Sequence, residues 1–369
     1  MIIKKINLIN FRNYSKLELN FNEKVNVFIG DNAQGKSNIL ESITLLALTK
    51  SYRIGNDPNL IQFGKNKTKL NGKIINNQII KDLEVQISPL QKRIFINKTE
   101  IKKISDYISN LNVIFFTPDD LEIIKGSPGV RRNLINLELS QLSKDYLLLS
   151  NKYNKILKIR NEYLKSYGKS LNFDSKYLEI ITKELTKYGV KIFIIRRNYI
   201  NSLNKFLNHI YFDIAKEEKL MIKYEANIDI KDYDEDYLYN LLLKTYRTNY
   251  LKELNQKTTL YGPHRDDFSF YLNDKNLRLF GSQGQQRLAI ISYKLSQIPI
   301  FEKQLKTKPV LLLDDIFSEL DLKKRNSLLN YINKDIQSII TTTDIKNINK
   351  KYLKNAYIYE IHNGKIIRK

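Results

Sequence analysis

The sequence predicts an α/β fold: a mixed sheet with an antiparallel β lobe, interrupted by an inserted helical, coiled-coil-like arm. Three observations predict it. An apolar run, Val25-Asn26-Val27-Phe28-Ile29, leads into Gly30-Asp31-Asn32-Ala33-Gln34-Gly35-Lys36-Ser37 and then into Ile39, Leu40, Ile43, Leu46 and Ala47 at helical spacing. Far along the chain, Val310-Leu311-Leu312-Leu313 reads as a buried strand and ends in Asp314-Asp315. Between the two, from Leu142 to Tyr199, apolar residues recur at alternating steps of four and three.

The Gly30–Ser37 stretch reads G-x-x-x-x-G-K-S, the Walker A pattern of a phosphate-binding loop. Two glycines let the backbone fold tightly, so that several N–H groups point at one anion. Lys36 is placed to reach the β- and γ-phosphates of a nucleotide. Ser37 is placed to hold Mg²⁺ and opens a helix whose N-terminus favours negative charge. Asp314-Asp315 is the Walker B arrangement: Asp314 for Mg²⁺ through water, Asp315 to orient or deprotonate an attacking water.

The remaining elements follow in order. Ile2–Ile9 and Ser15–Phe21 alternate as two strands around the turn Asn10-Phe11-Arg12-Asn13-Tyr14, which reads equally as a plain hairpin turn and as a functional patch. Thr68 to Asn97 alternates again and predicts a second antiparallel lobe. Val113–Phe116 is a short strand, and Thr117 or Asp119 is a candidate cap for a helix near Pro118. Gly126-Ser127-Pro128 starts a helix carrying Arg131 and Arg132.

The seam Leu142, Tyr146, Leu149, Tyr153, Ile156, Tyr163, Tyr167, with Arg160 filling one gap, breaks at Gly168–Asp174. It resumes with Leu178, Ile181, Leu185, Tyr188, Ile192, Ile195 and Tyr199. This predicts an antiparallel helical hairpin, each helix about 25 to 40 residues and about 40–60 Å long. Tyr in the seam favours packing against further structure over a free coil. A strand near Leu220–Ala226 and a helix near Asp236–Leu254 come next. His264, alone beside Arg265, Asp266 and Asp267, is loop chemistry and is assigned no metal. Gly281-Ser282-Gln283-Gly284-Gln285-Gln286-Arg287 opens a further helix, and by itself reads as a capped helix start. Ser338-Ile339-Ile340 is a last core strand, ending in Thr341-Thr342-Thr343-Asp344.

Composition narrows the function classes. The chain has 369 residues, 42% hydrophobic and 27% charged, as in ordinary globular proteins. It has no Cys, which excludes disulfides, thiolate nucleophiles and Cys-based zinc sites. The segment Met1–Asn7 lacks the apolar core of a secretory signal, and no run reaches the length of a membrane span. A cytoplasmic protein without a membrane partner is expected. The formal charge is +23, from 62 Lys+Arg against 39 Asp+Glu, which points to a polyanion partner, although the chain is rich in Lys, Asn, Ile and Tyr throughout.

The motifs taken together carry a resemblance. Asn10–Tyr14, the Walker A loop with Asn38, Thr117-Pro118-Asp119-Asp120-Leu121, Gly126-Ser127-Pro128 with Arg131-Arg132, Gly262–Asp267, Ser282–Arg287, and Leu313-Asp314-Asp315 through Asp321 stand in an order similar to the split ATPase heads of SMC and related DNA-repair ATPases. Over essentially its whole length the chain resembles the RecF family. The resemblance implies an ABC-type ATPase head, a P-loop NTPase, in two parts, 1–140 and 256–369, around an arm domain at 141–255. It implies ATP-dependent binding of double-stranded DNA and single-strand/double-strand junctions or gaps, an ATP-dependent homodimer, and recombinase loading with mediator proteins of the RecR and RecO type.

By the same resemblance, ATP and Mg²⁺ would lie between the Walker A loop of one copy and Ser282, Gln283, Gly284 and Gln285 of the other. Arg53 and the Pro118–Asp120 loop would stand near the nucleotide. Weak, DNA-dependent ATP hydrolysis is implied. Asp315 stands where most ABC ATPases carry Glu, and its shorter carboxylate suggests slow turnover. The family's switch His is absent, leaving Thr342 or Thr343 in its place. Leu134 and Asn136 stand where relatives carry Phe and Asp. The alternatives are a catalytically idle clamp that uses ATP only to dimerise, and another SMC-like ABC ATPase.

Overall fold

Alternating apolar residues at the start of the chain produce an antiparallel hairpin, Ile2–Phe11 against Tyr14–Asn20, with Leu8 opposite Leu17 and Ile6 opposite Leu19. These four are buried and form the dry face. Asn10 and Arg12 turn the chain with φ of 52° and 53°. In the computed structural model, which describes residues 1–369 except 54, 168–173, 217–218, 333–334, 354, 363 and 369, the hairpin does not stand alone. Ile2–Phe11 also pairs with Thr68–Asn76, and Ile79–Ile87, Lys92–Ile96 and Thr99–Glu100 follow outward. The antiparallel stretch expected as a second lobe is therefore the continuation of one six-stranded sheet. A Cβ on Gly72 would come within 3.0 Å of Leu46 Cδ1, so the helix Lys36–Leu48 lies directly on this sheet.

The continuous apolar runs form the other six-stranded sheet, ordered Lys365–Arg368, Tyr357–His362, Val25–Ile29, Ser338–Thr342, Val310–Asp314, Val113–Phe116. Apart from the antiparallel edge hairpin all its pairings are parallel. Strands buried on both faces need no alternation, which is why Val113–Phe116 and Val310–Leu313 read as unbroken apolar runs. Their carboxyl ends bring Gly30, Asp314, Thr342 and Thr117 to one edge, the edge where open α/β sheets hold ligands.

The chain divides into two compact units, Met1–Leu121 with Phe206–Glu218 and Arg287–Lys369, and Glu122–Lys205 with Lys219–Gln286. These limits differ from the sequence boundaries at 141 and 255. The second unit also takes in the helix Pro128–Leu142 and the stretch from Gln256 to Gln286, because Arg131 grips Asp267 through two hydrogen bonds of 2.6 and 2.8 Å.

Within the second unit the helical hairpin is present as Lys144–Tyr167 and Ser175–Ala215, the last ten or so residues of which belong to the first unit. The predicted break at 168–174 falls, except for Asp174, outside the described residues; Asp174 caps the second helix by accepting from Lys176 and Tyr177 N–H. The seam is not a free coil. The helix Glu235–Gln256 packs over it, and a Cβ on Gly189 would meet Leu242, Tyr153 and Pro263 all at 3.3–3.4 Å. Arg160, the gap in the seam, is buried and bonded to Glu253, Thr182 and Thr259. Breaking such a pair from one side typically costs about 3–5 kcal/mol. A three-stranded sheet, Lys275–Asn276, Asp267–Leu272 and Leu220–Glu225, completes the unit.

His264 is a packing residue. Its Nδ1 lies 2.6 Å from the Tyr153 hydroxyl and its Nε2 3.1 Å from the Thr259 carbonyl. Burial lowers its pKa to about 4, so the ring is neutral at physiological pH. No helix among the described residues is long and apolar enough to cross a membrane.

Candidate functional site

The first unit holds a cavity of about 270 Å³ lined by Asn32, Ala33, Gly35, Lys36, Ser37, Asn38, Arg53, Pro118, Asp314 and Asp315. The loop is shaped by its two glycines. Gly35 has φ of +108°, and a Cβ there would stand 2.6 Å from Asn13 Nδ2 and 2.8 Å from Tyr14 Oη. A Cβ on Gly30 would stand 2.6 Å from the Ile361 carbonyl oxygen. Gly35→Ala should therefore strain the loop by about 1–3 kcal/mol, read as a lower melting temperature together with weakened nucleotide binding; an unchanged melting curve would contradict this packing.

Lys36 is buried and its Nζ donates to the carbonyls of Gly30 (2.6 Å) and Asp31 (2.8 Å). Burial lowers its pKa, opposed by the charges of Asp315, Asp314 and Asp31. Ser37 Oγ donates to Asp314 Oδ1 at 2.9 Å, so the helix start and the strand end meet as one oxygen donor pair. Hydroxyl and carboxylate oxygens with room for phosphate and water suit Mg²⁺, which is seldom caged by protein alone. Asp315 sits at φ 48°, and its Oδ1 is buried without a protein partner. Burial raises its pKa; Ser318 and Lys36 oppose this and Asp314 adds to it.

The turn Asn10–Tyr14 braces the loop from behind. Tyr14 Oη donates to the Gly35 carbonyl at 3.2 Å, and Asn13 Nδ2 reaches the Gln34 carbonyl at 3.4 Å. Asn38 donates to Asn13 at 2.9 Å and accepts from Arg53 at 3.2 Å. Arg12 makes a two-point contact with the fully buried Glu41 of the helix. The turn is thus more than a hairpin connection.

Pro118 lines the cavity. Thr117 immediately precedes the short helix Pro118–Leu121, and Asp120 reaches back from within it to accept from Thr117 N–H and Oγ1; Asp120 also pairs with the buried Lys294.

Every residue lining the cavity comes from the first unit, while Ser282–Gln285 belongs to the second. There Ser282 and Gln285 form a reciprocal capping box: Ser282 N–H donates to Gln285 Oε1 (3.0 Å) and Gln285 N–H to Ser282 Oγ (3.2 Å). Gln283 opens the helix Gln283–Leu305, and a Cβ on Gly284 would meet Ser282 Oγ only at 4.0 Å, an ordinary contact.

The family described as RecF/RecN/SMC N terminal domain matches residues 2–366. The DNA replication and repair protein RecF of Lactobacillus johnsonii is 39% identical over 372 residues, covering 100% of both chains. That of Geobacillus kaustophilus is 37% identical over 368 residues, covering 99% of each. The chain belongs to the RecF family. A solved structure described as the recombination mediator protein RecF-ATP in the RecFOR pathway covers 100% of this chain and 97% of its own, at 32% identity and a TM-score of 0.92. An Smc head bound to the C-winged helix domain of ScpA shares the fold alone, at 14% identity and a TM-score of 0.56, covering 100% of this chain and 98% of its own. The ABC-type head with a helical arm, expected from the motifs, is the fold of the RecF family.

Within that RecF frame two neighbours of the Walker B carboxylates were missed by sequence reasoning. Tyr52 Oη lies 3.5 Å from Asp314 Oδ2, and Thr341 Oγ1 donates to Asp314 Oδ1 at 2.7 Å. No sequence signal pointed to Thr341, which stands opposite Asp314 only once the two parallel strands have paired. Thr342, weighed as the switch residue, is instead buried and spent on a turn with Asp344, while Thr343 is exposed.

Proposed function

We propose that this chain is an ATP-dependent DNA-binding protein of recombinational repair and replication-fork maintenance. It would bind gapped DNA or single-strand/double-strand junctions and promote recombinase loading with mediator proteins of the RecR and RecO type. The observation that carries the reading is the convergence of Lys36, Ser37, Asp314 and Asp315 on one cavity. The donor set fits Mg²⁺ and a nucleoside triphosphate: an ammonium, a helix N-terminus and a hydroxyl–carboxylate pair face the same space. The RecF-ATP structure, aligned over the whole chain, supports the same ligand.

In this reading Lys36 exchanges the Gly30 and Asp31 carbonyls for phosphate oxygens, and Asn38 and Arg53 flank the loop. Mg²⁺, held by Ser37 and Asp314, would neutralise charge between phosphate oxygens. Asp315 holds the attacking water and takes its proton at the carboxylate. Its side chain is one methylene shorter than Glu, which would make turnover slow. Ser282 and Gly284 of a second copy complete each site by contacting the γ-phosphate from a helix start. ATP thus closes a homodimer, and closure brings two basic surfaces onto one duplex.

DNA affinity should fall linearly on a log–log plot against salt, and should rise with ATP. Fluorescence anisotropy on a gapped duplex, from low to moderate salt, measures both. A flat salt dependence without a nucleotide response would return the +23 charge to composition.

A further inference from the structure

We infer that Thr341 is a positioning residue that fixes the two Walker B carboxylates relative to one another; the inference rests on the Mg²⁺ site proposed above. Thr341 ends a strand paired in parallel with Val310–Asp314 and lies opposite Asp314 in register. It is fully buried. Its hydroxyl has one proton, and the short contact of 2.7 Å directs that proton to Asp314 Oδ1. The hydroxyl lone pairs then accept the Asp315 N–H at 3.1 Å, and the Thr341 carbonyl accepts the same N–H at 3.2 Å.

One side chain thus grips the carboxylate of Asp314 and the backbone of Asp315. The second grip matters because Asp315 is held at φ 48°, a conformation non-glycine residues seldom adopt without support. It sets the direction of a carboxylate whose Oδ1 has no protein partner. The first grip matters because Ser37 shares Asp314 Oδ1. Ser37 is a proposed metal donor itself, so Thr341 is the hydroxyl free to hold that oxygen while Ser37 turns to the cation. Partners one step removed from a metal commonly change its affinity by about 10–100-fold.

The test is a Mg²⁺ titration of a fluorescent ATP analogue binding to the full chain. Thr341→Val keeps the branched shape and loses the hydroxyl. It should raise the Mg²⁺ concentration for half-maximal tightening by about tenfold or more, with binding in EDTA unchanged. Thr341→Ser should restore the parental value, and Thr68→Val, whose buried hydroxyl donates to the Ile9 carbonyl and lies outside the cavity lining, should leave it alone. If Thr341→Val fails to fold, Thr341→Cys keeps the volume with a weak donor, and the same rise is expected of it. A parental Mg²⁺ response unaltered by the Val or Cys change overturns the assignment. A parental protein whose nucleotide binding ignores Mg²⁺ overturns the metal site, and the assignment with it.

Discussion

Lys36→Ala is expected to weaken ATP binding by about 100-fold or more, the loss of charge-assisted hydrogen bonds to phosphate. The fold should survive. Burial already lowers the pKa of Lys36, so the ammonium is held there at a cost, and Asp31 at the loop's surface leaves its carbonyl open to water. Isothermal titration with ATP and Mg²⁺, beside a thermal melt, separates the two effects. Binding retained within a few-fold would remove Lys36 from the phosphate site.

Asp315→Asn should keep ATP binding and lower turnover by about 10²–10³-fold, because it removes a base and leaves the phosphate cradle intact. A pH profile sharpens the test. Burial raises the folded-state pKa of Asp315, and only its ionised form accepts a proton. Turnover of the parental protein should therefore fall on acidification, beginning at a higher pH than an ordinary carboxylate would give. The residual activity of Asp315→Asn should lack that limb. Parental turnover in the variant would remove Asp315 from the role of base.

The parts legible in the sequence were those fixed by local chemistry. Gly30–Ser37 announces its loop because only Gly tolerates the φ of position 35, and Val310–Asp315 announces a buried strand and its end. The seam from Leu142 to Tyr199 gave the helical hairpin, and the helix Glu235–Gln256 was legible near Asp236–Leu254, but its packing over the seam was not. That packing rests on Gly189 against Leu242 and on Arg160 against Glu253, partners far along the chain. The merger of the two antiparallel stretches was hidden for the same reason. Leu8 and Leu70 are paired by the tertiary fold, not by a turn. At the site, the four Walker residues were readable from spacing. The Asp120–Lys294 pair and Thr341 as brace were not, since each depends on which elements stand side by side.

The central claim is that each ATP site is shared, with Lys36 from one chain and Ser282 from the other. Lys36→Ala and Ser282→Arg homodimers each have two broken sites. Mixing the two proteins makes heterodimers in which both lesions fall in one site and the other is intact. With random exchange about half the dimers are mixed, each with one working site of two, so the mixture should recover about a quarter of parental turnover. Turnover and ATP-driven dimer formation, followed together by sedimentation, make the measurement. Recovered turnover with recovered dimer is the result this account predicts. Neither one recovered would contradict it, and would leave Ser282 and Gly284 as the capped start of a helix.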